Sequence, residues 1–240
     1  GFGGLGARPL GGGAGATPAG GVQEELALVL LEEVPAEALL LRDNKGDTCL
    51  HVAARQQLKA AALKIVERGG AAVLDVQNDL GQTALHVALE CKQQDVALLL
   101  LEKMSSEALL LRDQTGTSVV ELAVDTKLDG AAAVLVGRLW EDALQGDAAR
   151  VEALWGKAVA QGMVDSVRAL VERSGETLMV AQNTAGETAL ALALKCGQAE
   201  VALLLMQRTP VEALHVRIYV CVYLCVYQGE WHDMSCRFIA

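Results

Sequence analysis

The chain has 240 residues, 52% hydrophobic but only 3% aromatic, with a net charge of −10 and a pI near 4.9. That charge argues against binding a nucleic-acid backbone, which needs clustered Lys and Arg to displace counterions. Ala and Leu dominate the periodic segments, so composition favours closely packed helices over a β-sandwich.

Residues 1–21 carry Gly at 1, 3, 4, 6, 11, 12, 13, 15, 20 and 21, with Pro9 and Pro18. Nothing there repays the entropy of ordering it, and the stretch reads as a flexible leader. A phosphate-binding loop is the functional alternative, but no strand precedes it and it lacks Gly-Lys-Ser/Thr. A basic n-region followed by an apolar core, the mark of a signal peptide, is also missing. Gly rather than Met at position 1 reads as a fragment or an incomplete gene assignment.

Residues 22–33 place Val22, Leu26, Val29, Leu30 and Leu31 at helical spacing, ended by Pro35. Downstream, one pattern returns. It reads Asn44-Lys-Gly46-Asp-Thr48-Cys-Leu50-His51-Val-Ala53, then Asp79-Leu-Gly81-Gln-Thr83-Ala-Leu85-His86-Val-Ala88, then Gln114-Thr-Gly116-Thr-Ser118-Val-Val120-Glu121-Leu-Ala123. Successive glycines are 35 residues apart, and a further copy follows around Gly186 with Thr188, Leu190 and Ala193. A period in this range is the signature of a solenoid, whose units bury apolar surface between neighbours.

The glycines fall where a tight turn requires a left-handed backbone. Thr48, Thr83, Ser118 and Thr188 stand where a hydroxyl caps the next helix, and Ser118 with Glu121 forms a capping box. A second helix follows, with Val96 and Leu99–Leu101, Ala131 and Val134–Val136, or Val201 and Leu204–Met206 at matching offsets. The segment 22–33 corresponds to this second helix, so the array opens on half a unit. Two connectors, residues 35–43 and 105–113, start an extra helical turn at Pro35 and Ser105, under which Leu39, Leu40, Leu109 and Leu110 are expected to pack. The other connectors keep the apolar pairs Val73-Leu74 and Leu178-Met179.

The fourth copy is degenerate: Val151 replaces the turn Gly, Ala153 the cap and Gly156 the His. Trp140 and Trp155 flank it; they read as fillers of an irregular junction, with a partner hot spot as the alternative. A break or bend near residues 139–149 is a third possibility. After residue 214 the repeat stops, and residues 218–227 alternate Tyr and Cys with aliphatics. This tail reads as a translated simple DNA repeat. Cys221, Cys225, His232 and Cys236 offer zinc-ligand types without a paired Cys-x2-Cys knuckle.

On the residues quoted, the pattern resembles the ankyrin repeat over residues 22–214, although the family's unit is about 33 residues. The resemblance implies an all-α solenoid of stacked antiparallel helix pairs joined by β-turns. The units would divide as residues 22–139 (a half repeat plus three) and 140–214 (the degenerate fourth and regular fifth), with residues 215–240 as a non-repeat tail. It also implies that His51 and His86 tie one turn to the next instead of acting as ligands or bases. Family members bind proteins along the turn tips and concave face. The partner surface is therefore expected at Arg42, Asn44, Lys45, Asp79, Leu80, Arg112, Gln114, Thr115 and Thr184 on the tips, and at Arg55, Gln56, Glu90 and Lys92 on the first helices.

No hydrolase, kinase or metalloprotease motif occurs, and Cys49 with His51 resembles a nucleophile and base only in composition. The expectation is a non-catalytic protein-binding scaffold with no cofactor or metal, monomeric, that binds no nucleic acid and does not insert in membranes. Unlike spacings of Cys49, Cys91 and Cys196 suggest thiols in a reducing, cytoplasmic compartment. The alternative is the targeting arm of a larger ubiquitin ligase, kinase or transporter.

Overall fold

Gly46, Gly81 and Gly116 adopt φ of +73°, +73° and +79°, and each sits in a turn leading into a short helix. A computed structural model describes residues 19–140, 148–175, 177–181, 183 and 187–208. The leader to residue 18, Thr184, Gly186, and the tail with its four zinc candidates lie outside the described residues.

The architecture is an all-α repeat. It opens with a lone helix, α1 (Ala19–Glu33), which begins three residues ahead of Val22. Helical hairpins follow: α2 (Cys49–Arg55) with α3 (Lys59–Gly69), and α4 (Ala84–Glu90) with α5 (Gln94–Lys103). After α6 (Ser106–Leu109) come α7 (Val119–Asp125) with α8 (Asp129–Leu139), then α9 (Ala148–Gln161) with α10 (Val164–Ser174). Finally α11 (Thr177–Val180) precedes α12 (Ala189–Lys195) with α13 (Ala199–Arg208).

First helices stack on first helices, in the order α2, α4, α7, α9, α12, and second helices on second helices, in the order α1, α3, α5, α8, α10, α13. The stack therefore passes through the fourth unit instead of breaking there. Leu50, Leu85, Val120 and Leu190 are buried at equivalent places along it, as burial between neighbouring units requires.

Two expectations on packing are corrected. Of the four connector leucines only two pack as expected: Leu39 and Leu109 are buried, but Leu40 and Leu110 are each 41% exposed. Counting by 35 explains it, because Leu39, Leu74, Leu109 and Met179 share one register position and all are buried. Turns do form there, as a 3-10 helix over Ala36–Leu40 and as α6, where the Ser105 hydroxyl accepts the Ala108 N–H at 3.2 Å. In the fourth unit, no turn occurs at Val151. The chain is already helical, and α9 runs 14 residues where other first helices run 7. Without a turn Gly, nothing interrupts the helix. Trp155 on α9 is buried in the core and Trp140 packs against it, so both rings fill the junction.

One tie recurs between second helices. The Arg68 guanidinium donates to the carbonyl of Val34 at 2.6 Å, and Arg138 donates to the carbonyls of Leu101 and Met104, the latter at 2.7 Å. Each arginine thus supplies donors to orphan carbonyls at the end of the preceding second helix. Basic residues recur at 68, 103, 138, 173 and 208.

Between paired helices, Gln57, Lys92 and Lys127 take φ of +60°, +56° and +63°, whereas Gly162 and Gly197 hold the equivalent positions in later units. A left-handed non-Gly residue costs about 1–2 kcal/mol, part of which Gly returns as unfolded-chain entropy. Substituting Gly singly at 57, 92 or 127 is expected to stabilise the array by about 0.5 kcal/mol each, measured as a higher midpoint in urea.

Candidate functional site

Each turn is built by one side chain at its start. Asp43 Oδ1 accepts the N–H of Lys45 and Asp47 at 2.8 and 2.9 Å, Asn78 Oδ1 those of Leu80 and Gln82 at 3.0 Å, and Asp113 Oδ1 those of Thr115 and Thr117 at 2.9 and 2.8 Å. Such local bonds fold the chain back on itself without a neighbouring strand. The turns are then tied to one another. Asp79 N–H donates to the Lys45 carbonyl at 3.1 Å, and Gln114 N–H to that of Leu80 at 3.0 Å. Asn78 Nδ2 donates to Asp47 Oδ1 at 2.8 Å, and Gln114 Nε2 to the Asp79 carbonyl at 2.5 Å.

Along this rigid edge, Arg42, Asn44, Lys45, Asp79, Leu80, Arg112, Gln114 and Thr115 are all exposed. Leu80 is 59% exposed, an apolar side chain held on a fixed tip. Some neighbours are engaged in the turns themselves. Arg112 donates to the Gly116 carbonyl at 2.6 Å, and the Thr115 hydroxyl to Asp113 at 2.7 Å.

The four residues expected on the first helices separate into two kinds. Arg55 and Glu90 end α2 and α4 and are exposed. Gln56 is the C-cap of α2, and Lys92 lies beyond α4 in the left-handed turn. Arg55 is not a free cation, because it pairs with buried Asp47 at 2.8 Å. Burial pushes the Asp47 carboxyl up, but the Asn78 hydrogen bond and the Arg55 charge outweigh it and hold it below the usual carboxylate range. The sequence signals the Asp47–Asn78–Arg55 cluster only in that Asn78 stands one period after Asp43 and one before Asp113, an amide where the turns on either side carry a carboxylate.

Behind the tips, His51 and His86 are fully buried. Thr48 N–H donates to His51 Nδ1 at 3.2 Å, which leaves the proton on Nε2, 3.0 Å from the Gln82 carbonyl of the next unit. His86 takes the Thr83 N–H the same way at 3.3 Å, and its Nε2 approaches the Thr117 carbonyl without full hydrogen-bond geometry. Both imidazoles are spent on structure. The Cys49 thiol donates to the Leu39 carbonyl at 3.4 Å, and burial pushes its pKa up; neither effect makes a nucleophile.

Burial depresses both histidine pKa values below 6.5, with carbonyl and carboxylate neighbours offsetting part of it. A depressed folded pKa means that the unfolded chain binds more protons, so stability is intact above pH 6.5 and is lost as pH falls through the folded values. The melting temperature is expected to drop between pH 7 and 5. His51→Gln and His86→Gln should lower it at pH 7 yet flatten that slope.

In the third unit Glu121 replaces the histidine. Ser118 N–H and hydroxyl donate to Glu121 Oε2 at 2.9 and 3.0 Å, closing the capping box. Since the fourth unit offers no turn carbonyl, the partner changes: Arg150 on α9 donates to Glu121 Oε1 at 2.9 Å and to Ser118 Oγ at 2.6 Å. Burial raises the Glu121 carboxyl, but Ser118, Arg150 and Arg112 together hold it low. In the fifth unit, where Ala191 stands in place of the histidine, the Thr188 hydroxyl accepts the Ala191 N–H at 3.4 Å.

A family model of ankyrin repeats, three copies, matches residues 19–110. No curated protein sequence matches the chain. Among the described residues, no helix is long and apolar enough to cross a membrane.

Proposed function

Because the chain is an ankyrin-repeat protein, a class of protein–protein interaction modules, we propose that it is a non-catalytic scaffold that binds a partner protein on its turn tips and the adjoining ends of its first helices. One observation carries this reading. Exposed, chemically varied side chains from three successive units sit on turns hydrogen-bonded into a single edge. A partner meeting that edge need not order it, so little binding energy is lost to conformational entropy. Leu80 is the apolar anchor, with Asn44, Lys45, Gln114 and Thr115 as polar rim. The net charge of −10 favours a basic partner through faster encounter.

Cross-linking from Lys45, followed by mass spectrometry of the captured proteins, tests the reading. A genuine partner loses about tenfold or more in affinity on Leu80→Glu or Lys45→Glu and is indifferent to Glu102→Lys on α5. If every captured protein binds the Leu80→Glu variant as well as the parent, the tips are not the interface.

A further inference from the structure

Three successive units hold a side chain where the backbone favours none. Gln57, Lys92 and Lys127 follow the first helices α2, α4 and α7 with φ of +60°, +56° and +63°, while Gly162 and Gly197 take the same register position after α9 and α12. The turn closes alike in all five. The residue after it donates its N–H to a carbonyl of the first helix, from Leu58 to Ala53 at 3.0 Å, Gln93 to Ala88 at 2.8 Å and Leu128 to Ala123 at 3.0 Å, and in the glycine units from Met163 to Ala158 at 3.0 Å and Gln198 to Ala193 at 2.8 Å. The side chains at 57, 92 and 127 are therefore not needed to make the turn. Room does not decide the choice either, because a Cβ built at Gly197 meets nothing within 4 Å.

Nothing inside the array offsets the left-handed strain at these three positions. All three side chains are exposed. Among the described residues none of them enters an ion pair or a side-chain hydrogen bond. A local rule broken at one register position in three consecutive units, with no structural return, is the kind of departure that functional sites retain.

The three positions lie on one edge of the stack. Each first helix starts beside its turn tip, after Thr48, Thr83 or Ser118, and ends just before this loop. A helix of 7 residues, about 10 Å long, thus separates the row from the tips. Its chemistry indicates the occupant. All three side chains carry N–H donors and two are cations, with Lys59 exposed beside Gln57. Of the nearby carboxylates, Asp125 is paired with Lys157 at 2.6 Å, and Asp129 caps α10 by accepting the N–H groups of Asp165 and Ser166 at 2.9 and 2.8 Å. Glu90 and Asp95 stand exposed on either side of Lys92. The row itself holds no acid, on a chain with 30 acidic and 20 basic residues.

We propose that the Gln57, Lys92 and Lys127 row is a second docking edge, which takes an extended acidic segment of a partner protein. Stacked helices lie about 10 Å apart, a distance that an extended chain covers in about three residues. The matching segment therefore carries Asp or Glu at i and i+3, facing Lys92 and Lys127, and a hydrogen-bonding side chain three residues further on at Gln57. Glycine at any of the three positions would relieve the strain and remove the contact. The edge is separate from the turn tips.

The test uses the full 240-residue chain and a fluorescein-labelled peptide of about ten residues, with Glu at i, i+3 and i+6 and Gly or Ser elsewhere, read by anisotropy at low ionic strength. Saturable binding is expected. It should weaken about fivefold or more in Lys92→Asn/Lys127→Asn, and equally in Lys92→Gly/Lys127→Gly, which should also unfold at higher urea than the parent. Asn tolerates the left-handed backbone, so the first pair removes charge without loosening the turn. Arg42→Asn/Lys45→Asn takes the same charge from the tips and is expected to leave binding within about twofold, as is Leu80→Glu. Equal weakening by the tip pair overturns the proposal, because net charge alone would then account for binding. So does absence of saturable binding to the parent, or an unaltered affinity in either lysine pair. A glycine pair no more stable than the parent also overturns it, since no strain would then be retained. Tighter binding of a single-stranded DNA oligonucleotide of matched charge overturns the peptide assignment, and self-association that the asparagine pair abolishes would make a second copy the occupant.

Discussion

Gly81→Val is expected to cost at least about 3 kcal/mol and to uncouple the units on either side, so that they unfold in two separate transitions. Gly81 sits at φ +73°, and a Cβ built there lies 2.9 Å from the backbone nitrogen of Gln114. That nitrogen donates to the Leu80 carbonyl, so relief of the clash must break the bond joining the second and third turns. Two strains therefore add, one conformational and one from close approach. Gly116 separates them, because its φ is +79° yet a Cβ there meets nothing within 4 Å. Gly116→Ala should cost only the conformational part, about 1–2 kcal/mol, and leave cooperativity intact. Equal losses for Gly81→Ala and Gly116→Ala in urea melts would mean that the turn-to-turn contact contributes nothing.

Trp155→Ala is the second large effect, at about 3–5 kcal/mol. The ring is 4% exposed and occupies the first helix of the fourth unit. Its removal leaves a cavity between α7 and α12, which a continuous 14-residue helix cannot collapse to fill. Its Nε1 has no hydrogen-bond partner among the described residues, so Trp155→Phe forfeits no hydrogen bond and should cost about 1 kcal/mol, well below the alanine value. Tryptophan fluorescence and equilibrium unfolding report both. A surface hot spot would behave the opposite way, losing partner affinity with no change in stability.

Much of the array could be read from residues alone because its cause is local. Gly46, Gly81 and Gly116 are needed for their backbone angles, Ser118 with Glu121 for a capping box, and both kinds of signal recur in phase. The exposed tips were legible for the same reason. What escaped notice depends on the neighbouring unit. Asp47 looks like a solvated turn carboxylate until stacking brings Asn78 to it, and Leu40 looks as buried as Leu39 until the stack sets which of them points inward. The fourth unit was recognised as degenerate, but residue identity did not say that losing the turn Gly would lengthen α9, or that Arg150 would then take over the contact a turn carbonyl makes elsewhere.

The arginine contacts between second helices give the array a direction. Arg68 satisfies the end of α1, and Arg138 the end of α5, so every such bond runs from a later unit to an earlier one, whereas His51 reaches forward to Gln82. The two ends of the molecule are consequently unequal. Trimming units from the C-terminal side exposes helix ends whose carbonyls have lost their donors and imidazoles whose acceptor has gone. Trimming from the N-terminal side strands arginines and exposed turn donors such as the N–H groups of Asp79 and Gln114, which water solvates at little cost. Truncations of matched length should therefore unfold at lower urea when cut from the C-terminal side, and the array should fray from that end first.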